Sequence, residues 1–139
     1  MKLKTILIQF VLILWQLPQC IIGGIMALFL GKLKFIRYEK YCWIFEGEKM
    51  SGGISLGCFI FLSKKCAAKE DTIRHELGHV IQSHMLGWLY LILGLCSLLN
   101  AMFGFTKCYH DFFPEKWANQ LMNVKVRYTT YGCMTYIDK

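Results

Sequence analysis

The chain alternates long apolar stretches with short polar ones, and the spacing inside each stretch predicts its element. Thr5 to Gly31 carries no charge and is long enough to cross a hydrocarbon layer as a helix. Pro18 lies near its middle and Gly23-Gly24 follows. Proline removes a helical hydrogen bond and clashes with the preceding turn, so this run is expected as two half-helices, 5–16 and 19–31. Phe35 to Ile44 and Ile54 to Leu62 are rich in aromatic and β-branched residues, which suits strands. Turn chemistry between Gly47 and Gly53 makes them the arms of one β-hairpin, about ten residues each. Ser63 to Lys69 is a polar connection.

Glu70, Asp71 and Thr72 place acids and a capping hydroxyl at the start of a helix. Ile73, Leu77, Val80 and Ile81 then recur at spacings of three and four as its apolar stripe. Val80 to Thr106 is the second long apolar run, with His84 as its only group that ordinarily titrates near neutrality. Pro114 suits a first helical turn and predicts a further helix through Glu115, Ala118, Asn119 and Met122. Val124 to Tyr136 reads as strand-like or irregular. The fold class is therefore α+β with two hydrophobic membrane segments, kinked or re-entrant. Residues 1–31 form an anchor, and 32–139 form one domain with a membrane-inserted segment, 84–106.

Composition sharpens this picture. A hydrophobic fraction of 55% and a mean hydropathy of +0.39 are high for a water-soluble chain, so the lipid bilayer is the expected partner. Leu17-Pro18-Gln19-Cys20 lacks the small residues that signal-peptide cleavage requires, and the first run reads as a retained anchor. The net charge of +7 is scattered, with several Lys and Arg beside the apolar runs. That pattern suits anionic headgroups rather than nucleic acid. Seven cysteines form no CxxC pair. Their odd count, and the positions of Cys20 and Cys96 inside apolar runs, favour buried free thiols in a reducing setting. A Cys42–Cys58 bridge between neighbouring strands stays open.

The chemistry concentrates at His75-Glu76-Leu77-Gly78-His79. On a helix, residues four apart share a face, so both imidazoles can point at one metal ion. Glu76 then projects from the neighbouring position, where a carboxylate can deprotonate a metal-activated water. A catalytic zinc site ordinarily has three protein ligands, and Glu115 fits best as the third. Asn119 follows one turn later on the same face and can accept a hydrogen bond from a ligating histidine. Tyr109 and His110, just ahead of that helix, are the candidate oxyanion stabilisers. The arm Ile54–Leu62 precedes the histidine helix and can pair with an extended peptide.

HELGH followed by Glu115-Lys116-Trp117-Ala118-Asn119 resembles the gluzincin-type membrane metallopeptidases. The nearest are the CAAX-prenyl-protease/heat-shock protease group and the β-lactam sensor-transducer peptidases. The longer string HELGHVIQSHMLGWLYL is also similar to small bacterial membrane proteins. The resemblance covers residues 54–121. It implies a minimal zincin-like core, zinc held by His75, His79 and Glu115, and Glu76 as general base. The implied activity is hydrolysis of peptide bonds in peptide or membrane-protein substrates, at a bacterial cytoplasmic membrane. Asn119 stands where those peptidases usually carry Asp, and the chain is much shorter than they are. A catalytically silent zinc-binding regulator or sensor is therefore the alternative.

Geometry adds a constraint. A straight helix over residues 80–106 would be about 40 Å long and would carry Glu115 to the far side of the bilayer from the histidines. The second run is therefore expected to dip into the membrane and return, with Gly87, Gly94, Asn100 and Gly104 as places to bend. Lys64, Lys65, Lys69 and Arg74 before it, and Lys107 and Lys116 after it, favour both flanks, and the site, on the cytoplasmic face.

Overall fold

The computed structural model describes residues 3–129 and 132–136. Lys2 and the Thr130-Tyr131 part of the C-terminal tail lie outside them. The first apolar run is broken as expected. Helix α1 (Leu3–Trp15) and helix α2 (Leu17–Phe29) meet at 92°. Pro18 sits in the first turn of α2, where its missing N–H would have had no helical partner.

The strand region differs from the single hairpin that the glycines at 47–53 suggest. Strands β1 (Leu33–Glu39), β2 (Cys42–Gly47), β3 (Gly53–Leu56) and β4 (Phe59–Leu62) form one sheet in the order β1-β2-β4-β3. Two short hairpins, β1–β2 and β3–β4, lie side by side, joined by the parallel pair β2–β4. The turns fall inside the two apolar runs. One is Lys40-Tyr41, both residues left-handed although neither is glycine, and the other begins at left-handed Gly57. The 47–53 segment is a crossover. Aromatic stacking across β2 and β4, Trp43 on Phe59 and Phe45 on Phe61 with ring centroids 5.8 and 6.1 Å apart, favours this pairing, a contact that local turn chemistry does not reveal.

Alternation along the strands separates two faces. Cys42, Ile44, Ile60 and Leu62 face the apolar stripe of helix α4 (Glu70–Leu86), namely Ile73, Leu77 and Val80, and form the core. Trp43, Phe45 and Phe59 point the other way and, with Ile13 and Ile21 of α1 and α2, line an apolar cavity. A four-residue helix, α3 (Lys64–Ala67), is capped by Ser63 and precedes α4. The acids of the first turn of α4 are in place, and Glu70 holds Arg37 of β1 in a two-pronged salt bridge. Thr72 lies within that turn, and the capping position belongs to Lys69.

From Glu70 to Phe103 the chain is helical for 34 residues, apolar and long enough to cross a membrane if it were straight. It is not straight. Gly87 has φ +58° and a single 3-10 turn separates α4 from α5 (Tyr90–Phe103). Thr72 and Ala101 consequently line one cavity. The rings of His79 and Tyr90 are 6.3 Å apart, where eleven residues of straight helix would span about 16 Å. Gly87 is pinned from outside: its carbonyl accepts from Gln19 Nε2 at 2.6 Å, and the Trp15 ring occupies the space a Cβ would need. Ser83 donates to Gln16, and Trp15 Nε1 donates to the His84 carbonyl. The breaks in the two apolar runs therefore meet, and side chains at the first break satisfy backbone carbonyls exposed at the second.

After α5 the chain returns to α6 (Phe113–Leu121), which lies along α4, and ends in an antiparallel pair, β5 (Lys125–Thr129) and β6 (Gly132–Tyr136). Cys108 and Cys133 are joined in a disulfide, which corrects the expectation of free thiols for these two. They lie far apart in sequence and meet because β6 docks on α4, where Thr135 donates to Asp71 at 2.8 Å. Cys20, Cys42, Cys58, Cys66 and Cys96 are free, so the open Cys42–Cys58 bridge does not form. Cys58 Sγ instead lies 3.2 Å from Cys20 Sγ.

Candidate metal centre

Two helices build the site. α4 presents His75 and His79 one turn apart, as the spacing predicts, and α6 presents Glu115. Nε2 of His75 and Nε2 of His79 each lie 3.1 Å from the same oxygen, Glu115 Oε2. The three donor atoms lie within 4.8 Å of one another, and all three residues are buried. This group can hold a metal ion. Close approach of the helices depends on Gly78, between the histidines: a Cβ there would lie 2.3 Å from the Ala118 carbonyl oxygen. The apolar neighbours on either side, Leu77 and Ala118, are fully buried.

The protonation pattern can be read from the partners. Gln82 Nε2 donates to the Pro114 carbonyl at 2.7 Å, a group that can only accept. Gln82 Oε1 therefore faces His79 Nδ1, at 2.9 Å, and must accept from it. His79 thus carries its hydrogen on Nδ1, and its Nε2 lone pair points at a carboxylate oxygen. Asn119 Oδ1 stands 2.8 Å from His75 Nδ1, where it can accept the hydrogen of that nitrogen. Two lone pairs converging on a carboxylate repel unless a cation lies between them, either a proton or a metal ion.

The charge balance of the metal-free group follows. Burial pulls the His79 pKa down, but the hydrogen bond and charge of Glu115, then Glu76 and Gln82, push it up to about 9. Burial would raise Glu115. The hydrogen bonds from His75 and His79 outweigh burial and hold its carboxyl well below the usual carboxylate range. Glu115 Oε1 and Asn119 Nδ2 have no partner among the described residues.

Glu76 projects beside His75 toward β3. It accepts from Ser55 Oγ at 3.2 Å, and Gly53 leaves room for its other oxygen. β3 is an edge of the sheet. The bond from Ser63 N to Gly52 O sets the alternation of the β3–β4 ladder, which turns the N–H and C=O groups of Gly53 and Ser55 outward. A free strand edge thus runs past Glu76. Both oxyanion candidates reach the same space. Tyr109 and His110 line the cavity that holds His75, Glu76, His79 and Glu115, and the His110 ring stands 5.2 Å from that of His75. Burial, then the charge of His75, lowers the His110 pKa. Burial and the neighbouring Glu115 raise that of Tyr109.

The structure therefore brings together His75, Glu76, His79, Glu115, Asn119, Tyr109 and His110. Sequence reasoning missed Gln82 and Ser55. Gln82 was within reach, since it follows His79 by three residues on one helix face. Ser55 was not, because its meeting with Glu76 depends on sheet order. Comparison of the chain with protein-family models, with curated proteins and with solved structures finds no match.

Proposed function

We propose that this chain is a membrane-associated zinc metallopeptidase with a minimal zincin-like core. The observation that carries the reading is the convergence of the two imidazole Nε2 atoms on the buried Glu115 carboxylate, with Glu76 beside them at a free strand edge. A set of two histidines and one glutamate suits zinc. When bound, zinc supplies a Lewis acid for the scissile carbonyl and acidifies the attacking water. Asn119 and Gln82 hold the ligating imidazoles in orientation. An extended peptide pairs with the outward groups of Gly53 and Ser55, which fixes its carbonyl relative to Glu76. Glu76 takes a proton from water as the water oxygen bonds the carbonyl carbon. It then delivers that proton to the nitrogen as the C–N bond breaks. Tyr109 and His110 are the candidates to stabilise the developing oxyanion.

Membrane association is supported by the outward apolar faces of α1, α2 and α5, including Phe10, Leu28, Ile92 and Met102. The Cys108–Cys133 bridge next to the site favours an oxidising compartment over the cytoplasmic face suggested by the flanking lysines. A silent zinc-binding regulator is the second reading, favoured by the uncharged Asn119. Elemental analysis of purified protein should find one zinc per chain, lost in His79→Ala and Glu115→Ala. Glu76→Gln should keep the metal and abolish peptide cleavage. Full zinc occupancy in Glu115→Ala would refute the ligand set, and unchanged turnover in Glu76→Gln would refute the mechanism.

A further inference from the structure

The cavity beside the metal ligands measures about 620 Å³, within the range of small-ligand and side-chain pockets. Glu76, His75 and His79 form one wall, and the opposite wall is a face of α5. That face carries Leu91, Gly94, Leu95, Leu98 and Ala101, spaced as one helix stripe. Ser97 is its polar member; its hydroxyl is buried and has no partner among the described residues. At Gly94 an added Cβ would meet nothing within 4 Å, so the wall is notched there. Leu95 and Leu98 line the cavity and are each 56% exposed, and Leu95 lies one turn from exposed Ile92 on the same helix face. The rim is therefore continuous with the outward apolar face formed by Ile92 and Met102.

We propose that this cavity is the specificity pocket of the peptidase: it selects extended peptide segments that place a bulky apolar side chain in the notch at Gly94. The inference rests on the peptidase reading. The segment lies between the free edge of β3 and α5, and Ser97 Oγ is placed to bond its backbone. The side chain next to the cleaved bond is buried against Leu91 and Leu98. A charged side chain there would lose its hydration without a partner on α5. The apolar rim lets such a segment arrive from the lipid-facing side, so stretches of membrane proteins at or near the bilayer are the substrate class.

A randomised peptide library supplied in lipid bicelles tests this, with cleaved bonds read by mass spectrometry and zinc content measured alongside. The wild-type protein should enrich Leu, Ile, Met or Phe beside the cleaved bond by about tenfold or more over Ser and Asp. Gly94→Leu fills the notch and should shift the preference about tenfold toward Ala and Gly at unchanged zinc content. Ala101→Leu narrows the same cavity from the far end and should act in the same direction. If neither variant moves the profile, or the wild type prefers charged residues, the pocket assignment is wrong and the peptidase reading stands. If the zinc-loaded wild type cleaves no peptide, the peptidase reading itself fails, and the pocket assignment with it.

Discussion

Gly78→Ala isolates the geometric requirement of the metal centre, because it changes no ligand and no charge. The new Cβ would lie 2.3 Å from the Ala118 carbonyl oxygen and 2.7 Å from its carbon, about 1 Å short of ordinary van der Waals contact. Backbone atoms on both sides leave no side chain to swing aside, so α4 and α6 must part by roughly that distance. Metal–ligand distances tolerate only about 0.2 Å. Glu115 lies one turn before Ala118, and His75 and His79 flank Gly78, so the separation acts directly on the three donors. Zinc affinity should fall at least about 10–100-fold, the range seen when a supporting residue is lost, and overpacking should cost about 1–3 kcal/mol of stability. Competition against a chelator of known affinity measures the first, and thermal unfolding in detergent the second. Gly24→Ala is the control: it is also a helical glycine, but its Cβ would meet nothing within 4 Å, so it should be neutral or slightly stabilising. Wild-type zinc affinity in Gly78→Ala would refute the claim that this helix contact sets the site.

Gln82→Met removes the group that fixes the His79 hydrogen and leaves the Pro114 carbonyl without its donor; chelator competition should show about 10–100-fold weaker zinc binding, and unchanged affinity would dismiss that role. The chelator-stripped protein should show a pH-dependent melting temperature. His79 is raised from the ordinary 6.5 to about 9, so its contribution is complete below pH 6.5 and lost as pH rises through 9. The depressed Glu115 contributes above its ordinary 4.5 and loses that contribution as pH falls. Melting temperature should therefore decline between pH 6.5 and 9, and a decline that persists in Glu115→Gln would argue against the pair as its source. For topology, Lys69→Cys and Lys116→Cys, both at exposed positions, should be labelled together, or protected together, by an impermeant thiol reagent in intact cells. Labelling of only one would mean that the second apolar run spans the bilayer.

The local parts of this protein were legible in the chain because they depend on short-range spacing. Two histidines four residues apart must share a helix face, and Pro18 must interrupt a helix wherever it lies in one. The requirement that Glu115 return to the histidines predicted the bend of the second run, and Gly87 was among the places named for it. Which glycine bends was a tertiary matter: Gly87 is held by Gln19 and Trp15, while Gly94 stays inside α5. Sheet order was likewise hidden. Lys40 and Tyr41 carry no turn signature, yet they are the left-handed turn that closes the β1–β2 hairpin between Glu39 and Cys42, and the parallel pairing of β2 with β4 joins residues distant in the chain. The Ser55–Glu76 bond depends on that sheet order, and the Cys108–Cys133 bridge on a separate long-range contact, β6 docked on α4. The sequence alone thus picked out His75, His79 and Glu115 as a candidate metal-binding group and required that they converge. Only the tertiary structure decided how: Gly78 against Ala118 sets the helix spacing, and Gln82, locked by the Pro114 carbonyl, aims the His79 lone pair at Glu115.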